Sequence, residues 1–269
     1  MVESAAEVDV DRPAPGVAVV TYHNPAIRNH LSWDGAGAIL RGLDEARDGG
    51  AHVVVLASAH PDYWIQHAWL TDLLDLMHER PQSGDGVDVF RAVNAIGDPG
   101  IVTIAAIDGS TAGGGCELGW ACDLRVAGAG ATFAQIEVQL GLTPGLGGAS
   151  RLLHLIGPTA AAELVLDGRP VGAERMLTLG GVNRVVPAGT ARDVAVEWAT
   201  LIAARPPAAL RAAKQILRDA ENLTLHDALR NEQTIFQTTL TGAVDRMAAA
   251  QARFDEGRSF DAVYGPPVT

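Results

Sequence analysis

Glu117 follows three consecutive glycines, Gly113-Gly114-Gly115, and these follow an apolar run at 101–107 through Asp108-Gly109-Ser110-Thr111-Ala112. Glycines after a strand permit a tight turn and leave the backbone N–H groups unobstructed. If a helix begins there, its first free N–H groups and the positive end of its dipole face whatever lies above, which suits a developing oxyanion. Twenty residues further on, Glu137 stands between Ile136 and Val138. A carboxyl among apolar neighbours has a raised pKa, fit for proton transfer near neutral pH, and two carboxylates in different surroundings can divide acid and base roles. The plainer readings are a solvated first-turn acid for Glu117 and a strand-edge residue for Glu137.

Other chemistries fail on the residues themselves. A phosphate-binding loop needs Lys-Ser/Thr after its last glycine, where Cys116-Glu117 stands, and a dinucleotide fingerprint from Gly113 needs glycine at Leu118. A nucleophile elbow needs a second glycine after Ser110, and there is none. Cys116 and Cys122 make neither a disulfide framework nor, with histidine, a metal-ligand spacing, so no metal is expected and a reducing compartment fits. The formal charge of −12 repels phosphate backbones and argues against nucleic acid as a partner. The N-terminal stretch has acids and prolines in place of a basic then apolar leader, and no run nears the ~18 apolar residues of a membrane span. A soluble, cytoplasmic protein is expected.

The elements that must position these residues read as α/β. Short β-branched runs at 17–21, 53–57, 101–107, 124–127 and 182–186 predict buried strands, alternating with helical patterns. Ser32 predicts the cap of a helix with Ile39, Leu40, Leu43 and Ala46 on its apolar face, and 70–77 and 87–96 predict two more. From Arg205 strand signals cease, and Pro206-Pro207 suits a helix start. The expected domains are an α/β core over 1–204 and a helical, oligomer-forming region over 205–269.

Taken together, these blocks resemble the enoyl-CoA hydratase/isomerase (crotonase) family. Ala106-Ile107-Asp108-Gly109, Gly113-Gly114-Gly115-Cys116-Glu117-Leu118, Ala121-Cys122-Asp123-Leu124, Phe133-x-x-x-Glu137 and Pro144-Gly145-x-Gly147-Gly148-x-x-Arg151-Leu152 carry the likeness. Arg28-Asn29-His30-Leu31 resembles the family's basic-Asn-Ala-Leu segment, and Gly180-Gly181-Val182-Asn183-Arg184-Val185-Val186-Pro187 a strand of the family. The 209–214 stretch and Glu232 resemble its C-terminal helices.

The resemblance implies a spiral of ββα units with a C-terminal helical region, assembling as a homotrimer or homohexamer. It implies an acyl thioester substrate whose carbonyl oxygen is held by two backbone N–H groups, those of Gln66 and Gly114, while the α-carbon becomes enolate-like. Glu117 would activate water and Glu137 would protonate the α-carbon, so hydration or dehydration of an enoyl thioester is the leading expectation, with no cofactor beyond the substrate's CoA. Isomerisation, C–C cleavage of a non-CoA or carrier-bound substrate, and a non-catalytic homologue are the alternatives. Arg28 matches a position that meets CoA phosphate. The family's Phe-x-Ala-Gly-x-Asp-Leu segment is here Trp64-Ile65-Gln66-His67-Ala68-Trp69-Leu70, with His67 for glycine and Trp69 for aspartate. Trp64, His67 and Trp69 are accordingly candidates for substrate binding, although aromatics there can equally fill core.

Overall fold

The computed structural model describes residues 4–265. Their elements run β1 (Glu7–Ala14), β2 (Val17–His23), β3 (His30–Leu31), α1 (Trp33–Asp48), β4 (Val53–Ser58), β5 (Gln66–Ala68), α2 (Leu70–Met77) and α3 (Val87–Gly97). Next come β6 (Val102–Ile107), β7 (Ser110–Ala112), α4 (Gly114–Ala121), β8 (Leu124–Gly128), β9 (Thr132–Ala134), α5 (Ser150–Asp167), β10 (Val171–Gly172), α6 (Ala173–Leu179), β11 (Arg184–Val186) and α7 (Ala191–Ala203). The remainder is helical: α8 (Pro207–Ala220), α9 (Leu225–Leu240), α10 (Val244–Asp255) and α11 (Phe260–Tyr264). The chain divides into two compact units, Met1–Pro207 and Ala208–Thr269.

In the first unit a six-stranded sheet has the order β1-β2-β4-β6-β8-β11. The five strands from β2 onward are parallel, and β1 closes one edge as an antiparallel hairpin partner of β2. Parallel strands lie between helical layers and are buried on both faces. Here Val20, Tyr22, Val54, Leu56 and Ile107 face α1 and α3, whereas Val19, Val53, Val55 and Ile104 face α7. Along α7 the sheet-facing residues Ala191, Ala195 and Ala199 recur every fourth position, and their small size lets the helix lie close on the strands. All five strands expected from the sequence belong to this sheet; β1 had no clear signal, because its acids point outward and Pro13 interrupts it.

Two smaller sheets complete the strands of this unit. β7 and β9 run parallel with β10 beside them, and β3 pairs with β5 in parallel. Ser32 caps α1 as expected, its side chain accepting from Gly35 N–H. Buried Asp72 on α2 accepts the N–H of Trp33 at 2.8 Å and ties α2 to the first turn of α1.

The second unit consists of α8 to α11. α8 starts at Pro207, the second of the paired prolines, where the missing N–H costs nothing.

Candidate active site

α4 begins at Gly114, directly after the glycine turn, and its first turn carries Glu117. The helix can sit there only because its backbone touches that of the strand opposite. A Cβ on Gly115 would fall 1.9 Å from the carbonyl oxygen of Ile65, so any side chain at this position would drive α4 off the segment leading into β5. Thr111 Oγ1 donates to the same carbonyl at 2.7 Å, and Trp64 N–H donates to Ser110 O at 3.0 Å.

Buried Asn29 fixes the other side of that segment. Its Oδ1 accepts the N–H of Asn24 at 2.7 Å, and its Nδ2 donates to Ser58 Oγ at 2.8 Å and to the carbonyl of Trp64 at 2.9 Å. Asn29 adopts the left-handed conformation, φ 58°, which its short polar side chain tolerates better than most.

Between these supports β3 and β5 pair with one residue too many on β5. Gln66 pairs with His30 and Ala68 with Leu31, which makes His67 the inserted residue of a β-bulge. The ladder bonds fall accordingly: Gln66 N–H donates to Asn29 O at 2.9 Å, and Trp69 N–H donates to Leu31 O at 2.8 Å. This corrects the expectation for Gln66, whose amide is spent on the ladder. The amide nitrogen that approaches the start of α4 is that of Ala68, 3.5 Å from the point where a Cβ on Gly114 would lie.

Ala68 and Gly114 open onto a cavity of about 310 Å³ that also contains Glu117 and Glu137. Trp33, Phe90, Ile136, Leu140 and Leu142 supply apolar wall. Glu117 is 3% exposed. Its Oε1 accepts two backbone N–H groups, from Leu146 at 2.7 Å and from Gly148 at 2.8 Å, both in the Pro144–Gly148 turn. Burial nevertheless drives its carboxyl above the ordinary carboxylate range, against the opposing pull of those amides and of the Arg151 charge. Glu137 opens a 3-10 turn, Glu137–Leu140, and is half-buried. Burial raises its carboxyl too; its own backbone N–H opposes the shift, and the charge of Glu117 adds to it. Gln135 Nε2 donates to Glu137 at 3.4 Å, a long bond that leaves the carboxylate free to address the cavity.

Of the remaining candidates, His67 lines the cavity. Trp64 does not: it is fully buried, its ring packs against Gly119 of α4, and its Nε1 has no hydrogen-bond partner among the described residues, so it is core and not substrate wall. Trp69 lies outside the cavity lining, at the N-cap of α2, with its ring 5.5 Å from that of His30. Arg28 is exposed on the turn before β3, at φ 54° and outside the cavity lining. Cys116 is wholly buried, which pushes its thiol up to about 12 and removes it from nucleophilic chemistry. Among the described residues no group of three His, Cys, Asp or Glu side chains is placed to hold a metal ion.

Sequence comparison agrees with this geometry. Residues 12–262 match the model of the family described as Enoyl-CoA hydratase/isomerase. The chain belongs to this family. Relatives of the hydratase/isomerase chain include the 2,3-dehydroadipyl-CoA hydratase of Escherichia coli (strain K12), 31% identical over 86% of this chain and 89% of that protein. The short-chain-enoyl-CoA hydratase of Clostridium acetobutylicum is 32% identical over 82% and 84% of the two chains. Among solved structures, the enoyl-CoA hydratase from Bacillus anthracis superposes with a TM-score of 0.83 at 28% identity, covering 94% of this chain and 97% of that one. The fold is that of the enoyl-CoA hydratase/isomerase family.

The amide of Ala68 and the amides of Leu146 and Gly148 that hold Glu117 escaped the sequence reading. For the latter a signal existed: the Pro-Gly-x-Gly-Gly turn was visible as a motif, but its task of holding a carboxylate was not.

Proposed function

We propose that this enzyme is a hydro-lyase that adds water across the double bond of an α,β-unsaturated acyl-CoA, or removes it in reverse. The observation that carries the reading is that Glu117, Glu137, Gly114 and Ala68 all line one largely apolar cavity. The thioester carbonyl accepts the two N–H groups, which stabilise the enolate oxygen as negative charge develops on it. Glu117, ionised, takes a proton from water as its oxygen bonds to the β-carbon. Glu137, protonated, delivers its proton to the α-carbon. Water is added overall, Glu117 ends protonated and Glu137 ionised, and exchange with solvent restores both. The inventory closes with two carboxylates and water, so the proposal calls for no cofactor beyond the CoA of the substrate. Two carboxylates at one double bond favour hydration over isomerisation or C–C cleavage.

Arg28, exposed beside β3, is assigned to the CoA phosphates. Homo-oligomers, trimers or pairs of them, are proposed from the exposed apolar residues of the second unit, including Leu217, Leu225, Phe236 and Phe260. Among the described residues no helix is long and apolar enough to cross a membrane, and a cytoplasmic setting is part of the proposal. Crotonyl-CoA, followed by loss of its conjugated thioester absorbance, tests the reaction. Turnover by the wild type that collapses in Glu137→Gln with KM largely kept is expected, at a cost of about 10²–10⁴ in kcat. Full turnover by the variant overturns the assignment.

A further inference from the structure

His30, His67 and Trp69 replace the alanine, glycine and aspartate of the family pattern, and in the fold they meet. The Nε2 atoms of His30 and His67 lie 3.1 Å apart, with ring centroids 4.3 Å apart and edge-on. The bulge that inserts His67 between Gln66 and Ala68 also places its ring against that of His30.

The proton count of this pair is fixed by what faces each ring. Nδ1 of His30 bonds the carbonyl oxygen of Ile27, and Nδ1 of His67 bonds that of Ala68 at 2.8 Å. A carbonyl oxygen only accepts, so both Nδ1 atoms carry protons. Two neutral rings would then aim lone pair at lone pair across 3.1 Å. One added proton on either Nε2 replaces that repulsion with an N–H···N bond and gives the pair a single positive charge.

We propose that His30 and His67 hold one proton between them, as an imidazole–imidazolium pair whose charge lies beside the oxyanion-binding amides and strengthens their hold on the enolate oxygen. The inference rests on the hydratase reading. His67 immediately precedes Ala68, and its Cβ lies 3.0 Å from the point where a Cβ on Gly113 would sit. Glu137 Oε1 lies 3.1 Å from the same point, and Glu117 is deeper in the same cavity; ionised Glu117 favours the cation, and Glu137 adds to this once it has given up its proton. Burial opposes the cation and lowers the pKa of His30, against the pull of the Ile27 carbonyl, and the charges of His67 and of Arg28 on the turn before β3 act in the same lowering sense. At the N-cap of α2 the ring of Trp69 stands 5.5 Å from that of His30, within cation–π reach. A metal ion held by the two Nε2 atoms would meet the same orientation by carbonyls, but among the described residues no third His, Cys, Asp or Glu stands by to complete a ligand set. The two histidines are positioning residues, acting on the enolate through the amide beside them.

Histidine-labelled full-length protein, followed by nitrogen-15 NMR from about pH 5 to 9, decides the matter. At the acid end three ring N–H protons are expected across the two rings, the third lost on raising pH and absent from His30→Ala and His67→Gly. In kcat/KM for crotonyl-CoA, a fall of about tenfold is expected at the same midpoint, smaller than the loss of a direct oxyanion donor. His67→Gln keeps a donor toward His30 without the charge; it should retain KM and lose that step. Two neutral rings throughout, a step that survives in His67→Gln, or a chelator-removable metal on both rings overturns the proposal. A protein inactive on every enoyl-CoA defeats the hydratase reading instead, and the NMR result still decides the shared proton.

Discussion

Glu117 Oε1 accepts the backbone N–H of Gly148 at 2.8 Å, and the glycine is what permits the approach. A Cβ at 148 would fall 2.1 Å from Gln135 Nε2 and 2.9 Å from that same carboxylate oxygen. Gly148→Ala is therefore expected to push Glu117 off its amides. Misplacing a catalytic group by an ångström costs about 10²-fold in rate, so kcat should fall by roughly that factor. Steady-state kinetics with crotonyl-CoA beside a thermal melt checks this; unaltered kcat in a folded variant refutes it.

The pH–rate profile should be bell-shaped. In the proposed mechanism Glu117 must be ionised to take a proton from water, so activity is lost as pH falls through its carboxyl, which burial raises above the ordinary range. Glu137 must be protonated to deliver its proton, so activity is lost as pH rises through its own raised carboxyl. Both limbs should lie above the usual carboxylate value of about 4.3, and kcat against pH measures them.

Stability carries the same sign. A carboxyl whose pKa is raised by folding binds its proton more tightly in the native state, so it costs stability once pH exceeds the unfolded value. Glu117→Gln should consequently raise Tm near neutral pH, and the gain should vanish below the unfolded carboxyl pKa of about 4.3. Melts at acid and neutral pH show whether it does; a lowered Tm at neutral pH contradicts the assignment.

Trp64 is expected to behave as core. Trp64→Ala should cost about 3–5 kcal/mol by leaving a cavity. Trp64→Phe removes a buried donor that has no partner and should cost less, under about 1.5 kcal/mol, with KM unchanged. Urea denaturation and kinetics separate the two roles; a large rise in KM for Trp64→Phe would return the residue to the substrate.

Asn29→Ala should lose about 2–4 kcal/mol, because it orphans the Asn24 N–H and places alanine at a left-handed φ. Asn29→Gly recovers the backbone share alone. Equal losses in denaturant would show that φ does not matter there.

How much was legible follows from what each feature depends on. The five parallel strands announce themselves because burial on both faces demands unbroken apolar runs. Glu117 and Glu137 stood out because glycines and apolar neighbours flank them within a few residues. The bulge at His67 did not, since it exists only in the pairing of 66–68 with 30–31, far apart in the chain. That single inserted residue decides whether Gln66 or Ala68 presents its amide, and local pattern contains nothing to report it. Trp64 misled for a similar reason: a large aromatic beside a site reads the same whether its ring points into the cavity or into the core.

The contact between Gly115 and the carbonyl of Ile65 is backbone against backbone, with no side chain between. The distance separating the two halves of the proposed oxyanion site is thus set independently of the residues that form the cavity wall. Phe90, Leu140 and Leu142, which are exposed on the rim of that wall, can be exchanged without resetting it. Retargeting this protein to a bulkier or more polar acyl chain is therefore a task for three rim positions, with the reacting centre left as it stands.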